Sequence, residues 1–172
     1  MRFLSLVAAA TLSLAFAATA AAAPVVVRPL AIDADLQKKF EEEYGTREIA
    51  ELSEAVSRSL ASELRQAGGS VADAGPITIE TTLVDVKPSK PTMEQLSDKP
   101  GLDYFGSVSL GGAELRARLL AADGSVLREI SYDWYETDLF AGQAVGTWSD
   151  ARRAVRRFAD KVGEAYRSHA AG

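Results

Sequence analysis

Apolar and polar residues alternate most regularly between Ala113 and Trp134, on either side of Asp123-Gly124. Asp-Gly between two alternating runs predicts a β-hairpin, because a two-residue type I′ turn needs positive φ at both central positions. With Asp123 and Gly124 as the loop, Ala122 faces Ser125 and every later pair keeps the same sum. Ala113 then faces Trp134, Leu115 faces Tyr132 and Ala117 faces Ile130 on one side of the ribbon. Arg118 faces Glu129 and Arg116 faces Ser131 on the other. Small or aliphatic side chains thus oppose aromatic ones, and an opposite-charge pair falls on the polar side, each such pair being worth about 0.2–1 kcal/mol. A one-residue slip would set core positions against solvent positions, so the pattern selects this register. Leu119 opposite Arg128 and Glu114 opposite Asp133 fit less well. The acidic pair reads either as mildly repulsive surface charge or as a place for a cation.

The other elements follow from changes of period. Pro24 to Leu30 is Val-rich and ended by Pro29, a short or edge strand. Asp33 and Asp35 precede a helical stripe of Leu36, Phe40 and Tyr44, either aspartate being available as N-cap, and Gly45 interrupts the stripe. Ile49, Leu52, Val56, Leu60 and Leu64 form the stripe of a longer helix that ends at Gly68-Gly69. Ile77 to Val86 is a strand whose apolar parity switches, predicting a bulge near Thr81–Leu83 or cover on both faces. Residues 87–106 read as a loop rich in turn formers, a length more often functional than idle. Val108 and Leu110 begin the first hairpin arm, with Gly111-Gly112 allowing a second parity shift. Residues 137–146 form another loop. Thr147 and Asp150 have the spacing of a capping box for a last helix, whose stripe is Ala151, Val155, Phe158, Val162 and Tyr166.

Composition changes this picture at the N-terminus. Arg2, the apolar run Leu4 to Phe16 and the small residues Ala17–Ala23 have the layout of a secretory signal peptide, too short to span a membrane as a helix. Pro24 disfavours a cut directly before it, which places cleavage after Ala22: residues 1–22 are the leader and 23–172 a single domain. No later run is long and apolar enough to span. The chain has no cysteine. It therefore has no disulfide and no residue for a lipid anchor, and about 150 residues fold on a packed core alone. Loss of Arg2 takes the formal charge from −5 to −6, which argues against a nucleic-acid partner.

Candidate chemistry is thin. His169 is the single histidine and lies near the C-terminus, poorly placed for a triad. Zinc sites built on Cys or several His are excluded, no Gly-rich phosphate loop occurs, and no metal or cofactor motif is present. Asp133, Glu136 and Asp138 beside Trp134 and Tyr135 could serve acid–base work on a glycan, with aromatic side chains as sugar platforms. Strand alternation leaves a convergent pair to Glu136 with Asp138, or to other segments. Between residues 31 and 64 acids outnumber bases, which reads as a solvated helix face. Arg152, Arg153, Arg156 and Arg157 lie off the last helix's stripe, free to meet that acidic helix or a partner. Geometry adds a stronger indication. The loops at 87–106 and 137–146 both lie at the end of the hairpin away from its turn. Tyr104, Phe105, Leu139 and Phe140, with Met93 and Trp148, then come within reach of one another. They make either a satellite core or a surface for a ligand or partner.

Asp85 to Pro88, Gly111-Gly-Ala-Glu-Leu115, the Asp-Gly turn and the Trp148-led helix with Phe158-Ala159 resemble an uncharacterised family of bacterial envelope proteins. These are domains of unknown function, many described as lipoproteins. The resemblance implies an α/β domain with a small antiparallel sheet and supplies no activity or site residue. This chain departs from the lipoprotein pattern in having no lipobox cysteine. The expectation is an α+β fold: a small, mostly antiparallel sheet of about four strands with two main helices packed on one face. The expected role is a non-catalytic, soluble periplasmic binding or envelope-assembly accessory domain, with no cofactor. Its partner would be another envelope protein or a small apolar ligand, met at Tyr104, Phe105, Glu136, Asp138, Leu139 and Phe140. The alternative is a carboxylate-dependent hydrolase acting on envelope glycan.

Overall fold

A computed structural model describes residues 23–138 and 146–170. The elements in order are β1 (Ala23–Val27), β2 (Ala31–Ile32), α1 (Ala34–Lys39), one π-helical turn (Phe40–Tyr44), α2 (Arg47–Gln66), β3 (Gly69–Val71) and β4 (Ile77–Lys87). They continue with α3 (Met93–Asp98), β5 (Gly112–Ala121), β6 (Val126–Tyr135) and α4 (Ser149–Ala170). The strands form one sheet in the order β3-β1-β4-β5-β6, with β2 also paired to β4.

The α+β class holds, but the sheet is six-stranded and mixed rather than four-stranded and mostly antiparallel. β1 runs parallel to β3 and β4, and β2 parallel to β4; only β4-β5-β6 is an antiparallel meander. β3 is three residues long, too short to show alternation, and it is specified by pairing Ala23, Pro24 and Val25 with Gly69, Ser70 and Val71. β1 is consequently internal despite Pro24. Gly75 lies against the Pro24 backbone, where a Cβ would have no room.

The hairpin pairs as the alternation predicts, from Ala113 opposite Trp134 to Leu119 opposite Arg128. Its turn differs. Gly124 has φ 83°, while Asp123 does not have positive φ, so the turn is not type I′. The Gly124 N–H donates to the Ala121 carbonyl (2.9 Å) and the Ala121 N–H to the Ser125 carbonyl (2.9 Å), giving a three-residue loop with its left-handed glycine last. Leu120 pairs with Val126, and Leu127 is the extra residue of a bulge. The cause is the Asp123 carboxylate, which accepts from the Ser125 N–H (2.9 Å) and hydroxyl (2.7 Å) and fixes its own backbone in doing so.

The bulge in β4 falls between Leu83 and Asp85, slightly later than predicted. It turns Val86 inward after Ile77, Ile79, Thr81 and Leu83. Val108 and Leu110 do not start β5, which begins at Gly112. The Ser109 N–H donates to the Ser89 carbonyl instead (3.0 Å), drawing this segment onto the preceding loop and leaving Val108 and Leu110 exposed.

Asp33 caps α1 as expected, accepting from the Asp35 N–H (3.0 Å). α2 and α4 pack side by side on one face of the sheet, Gly163 lying against Glu63 where a Cβ would be 3.2 Å from the Glu63 Cβ. Leu52, Val56, Leu60 and Leu64 meet Val155, Phe158, Val162 and Tyr166 over Ile79, Leu83, Leu115 and Leu119. The opposite face of the meander is polar, crossed by Arg118 between Glu80 (3.6 Å) and Glu129 (3.7 Å). The apolar side holds one anomaly. Thr81 is buried and its hydroxyl has no hydrogen-bond partner among the described residues. A buried hydroxyl without a partner costs about 1–3 kcal/mol, and an isosteric apolar group avoids that cost. Thr81→Val is therefore expected to raise the urea midpoint at unchanged slope, by about 1 kcal/mol in unfolding free energy. A lowered midpoint would show that the hydroxyl has a use.

The register also fixes polarity. Val25 pairs with Ile77 and Ile77 with Ala121, so β1 starts at the pole of the hairpin turn. Lys87 pairs with Gly112 at the other pole, where the long loops lie.

Candidate functional site

The loop pole is built on Ser89, which is fully buried. Its N–H donates to the Thr147 carbonyl (2.7 Å) and its carbonyl accepts from Ser109 (3.0 Å). Its hydroxyl donates to Asp150 Oδ2 (2.8 Å) and accepts from the Asp150 N–H (3.1 Å). The expected capping box from Thr147 to Asp150 is thus replaced. Thr147 donates its hydroxyl to the Pro91 carbonyl (3.3 Å), and Ser89 caps α4 from sixty-one residues away. Gly111 makes this possible: a Cβ there would sit 3.0 Å from the Ser89 nitrogen and 3.1 Å from Asp150 Oδ2. A true capping box occurs instead at Thr92 and Gln95, at the start of α3.

On this base the segment 93–110 presents apolar side chains to solvent. Phe105 is 84% and Met93 70% exposed, and Leu102, Val108 and Leu110 are exposed as well. The tip is held rigidly. Asp103 Oδ1 accepts from the Phe105 (2.8 Å) and Gly106 (2.9 Å) N–H groups, and the Asp103 N–H donates to Ser107 Oγ (3.1 Å). Those backbone donors hold the Asp103 carboxyl below the usual carboxylate range. Tyr104 and Phe105 meet edge to face at 5.6 Å, with the Lys90 ammonium 5.2 Å and 5.9 Å from the two rings. A fixed turn with one aromatic ring in solvent loses little conformational entropy when that ring is covered.

The expected site residues divide. Tyr104 and Phe105 lie together on this pole, and Tyr104 also approaches Gly146 at the end of the second loop. Leu139 and Phe140 fall outside the described residues. Trp148 is not part of the surface: it is fully buried against Phe40 (6.4 Å) and Tyr44 (5.9 Å), with its indole N–H donating to Glu48 (2.6 Å). Burial beside Glu43 and Asp85 pushes the Tyr44 phenol up to about 12. Met93 stands at the rim of a groove of about 550 Å³ beside Tyr44, Arg47 and Glu94.

The Glu136 carboxylate is committed to backbone donors and to α4. Glu136 Oε1 accepts the N–H groups of Thr137 (3.0 Å) and Asp138 (3.4 Å), and Oε2 takes Arg153 (2.9 Å). These contacts, the Thr137 N–H first, hold its carboxyl below the usual range. A general acid needs the opposite shift. In the row of carboxylates Asp85, Glu114 and Asp133, Asp85 is taken by Lys39 (2.7 Å) and the Tyr135 hydroxyl (2.9 Å). Among the described residues no group of three or more potential ligands could hold a metal ion.

The arginines of α4 find partners inside the molecule. Arg152 pairs with Glu51 of α2. Arg153 bridges Glu136 and, at 3.7 Å, Asp150. Arg153 and Arg157 stack on Trp134 at 5.3 Å and 4.6 Å, and Lys161 on Tyr132 at 5.4 Å. The i, i+4 spacing of these cations was legible; their aromatic partners on β6 required the sheet.

No protein-family model and no curated protein matches the chain. Solved structures do. The PelC dodecamer from Paraburkholderia phytofirmans is 12% identical, with a TM-score of 0.50 over 85% of this chain and 89% of that one. A protein of the DUF330 family from Xanthomonas campestris is 10% identical, with a TM-score of 0.49 over 87% and 88%. A minor lipoprotein from Acinetobacter baumannii is 9% identical, with a TM-score of 0.39 over 87% and 95%. At these identities the likeness to PelC is one of fold alone.

Proposed function

We propose that the chain is a non-catalytic accessory domain of a bacterial cell envelope, exported to the periplasm, that works by docking another envelope component on its loop pole. The observation that carries this reading is the row Met93, Leu102, Phe105, Val108 and Leu110, exposed on a segment whose backbone is tied down rather than loose. An apolar row on a fixed loop costs solubility and gains nothing for the core. The leader-like N-terminus supports export, and the lack of any cysteine supports a chain without a lipid anchor. Among the described residues no helix is long and apolar enough to cross a membrane. The dodecameric state of PelC makes a second copy of this chain one candidate occupant of the pole, beside an unrelated envelope protein.

A photo-crosslinking residue placed at Phe105, with the polar sheet face at Arg118 as control, tests the reading in cells. Adducts of discrete mass are expected at 105 and not at 118, and their mass separates self-association from a different partner. Absence of adducts at 105, or equal labelling at both positions, would overturn the docking role.

A further inference from the structure

A second surface, independent of the loop pole, lies along β6. This strand ends the sheet, and among the described residues no strand pairs with its outer side. The Glu136 N–H donates to the Gly111 carbonyl (2.9 Å), which sets the alternation. Residues of even number turn their backbone groups to β5, whereas Glu129, Ser131 and Asp133 turn theirs outward. Beneath this open edge a groove of about 450 Å³ runs between β6 and α4, lined by Arg128, Ile130, Lys161, Glu164, Ala165 and Ser168 among others. Its walls carry Arg128 and Lys161 as cations and Glu129 and Glu164 as acids, with Arg157 beside them on α4. Arg128, Arg157 and Lys161 point to this side without a carboxylate partner among the described residues, two of them resting on aromatic rings. Glu164 is the acid on the facing helix, and Glu129 is drawn to Arg118 on the other face of the sheet. Arg153 is already neutralised by Glu136.

We infer that β6 accepts an extended, acidic segment of a partner protein as an added strand. Main-chain bonds to Ser131 and Asp133 would supply affinity, as in other strand additions. The inward alternate side chains of the added strand would stand beside Arg128, Arg157 and Lys161, and acidic residues there would give these cations the carboxylate partner they lack among the described residues. Specificity follows from the same feature. An apolar strand would bury Arg128 against nothing, and a basic one would meet like charge, so the inward cations reject the partners to which an open edge is most vulnerable.

The test uses the full mature chain and a short fluorescent peptide alternating glutamate and threonine, with lysine replacing glutamate as control. The acidic peptide is expected to raise fluorescence anisotropy and the lysine peptide not to. Lys161→Glu and Ser131→Pro are each expected to weaken binding by about tenfold or more while leaving the melting curve in place. Amide exchange at Ser131 and Asp133 in the unsubstituted chain should slow when the acidic peptide binds, a readout that stands even if Ser131→Pro misfolds. Equal binding of the lysine peptide, or unchanged exchange at these amides, would overturn the inference. So would binding indifferent to Ser131→Pro, which would mean a bare basic strip, or a dimer abolished by Ser131→Pro, which would mean that a second copy fills the edge.

Discussion

Trp148→Ala is expected to lower the unfolding free energy by about 3–5 kcal/mol, the range for removing a fully buried aromatic side chain. The indole is the largest of the fully buried side chains and lies at the junction of three segments. It touches Phe40 and Tyr44 of the π-helical turn, and it donates to Glu48 in the first turn of α2. Its loss therefore opens a cavity where the start of α4 meets the other helices, in a place that long helices cannot easily collapse to fill. Trp148→Phe should cost less than half as much, because most of the ring contact survives and the half-exposed Glu48 can turn to water. Urea unfolding followed by far-ultraviolet circular dichroism measures both. A loss below about 1.5 kcal/mol for the alanine variant would mean that the aromatic cluster is loosely packed.

Asp150→Ala is expected to cost about 2–3 kcal/mol, the worth of a charged hydrogen bond together with the desolvation of the hydroxyl it strands. Ser89 Oγ would retain only the Asp150 N–H, and its own proton would face a buried space. Ser89→Ala removes the same bond from the other side, so the double variant should cost little more than either single one. The local signature separates this from a general loss of stability. Exchange of the Ser109 amide, which donates to Ser89, should quicken in Asp150→Ala well before global unfolding becomes frequent. Additive losses in the double variant would show that the two residues act separately.

What could be read from the chain was whatever local pattern dictates. The hairpin register was legible because cross-strand pairs from Ala113–Trp134 to Leu119–Arg128 share one sum and a slip would invert every side chain. The turn type was not, because the Asp123 side chain bonds to Ser125 and overrides the backbone preference of the dipeptide. β3 escaped because three residues cannot show a period and its partner lies more than forty residues earlier. α3 is one short helix, yet its Thr92–Gln95 capping box stands in the sequence and would have revealed it. The loop pole was located correctly from the connectivity of the hairpin. Its division was not legible: nothing local says that Phe105 faces water while Trp148 faces Phe40. Ser89 gave no signal at all, since a serine after a proline reads as a loop residue until Gly111 and Asp150 are seen to close around it.

If the chain is exported and cut as proposed, the position of β1 would set an order of events. Among the described residues its first paired one is Ala23, opposite Gly69, and the strand lies between two neighbours rather than at an edge. With the proposed cut after Ala22, no spacer separates the scissile bond from the sheet. A peptidase must hold several residues on each side of that bond in an extended, unpaired form, which a zipped β1 could not offer. On that proposal, leader removal would have to precede insertion of β1. Until it does, β3 lacks its partner and β4 has an open edge beside an antiparallel meander that is already able to form. On that proposal a chain that folded too quickly would keep its leader, and slow closure of the parallel half of the sheet would be a condition of maturation.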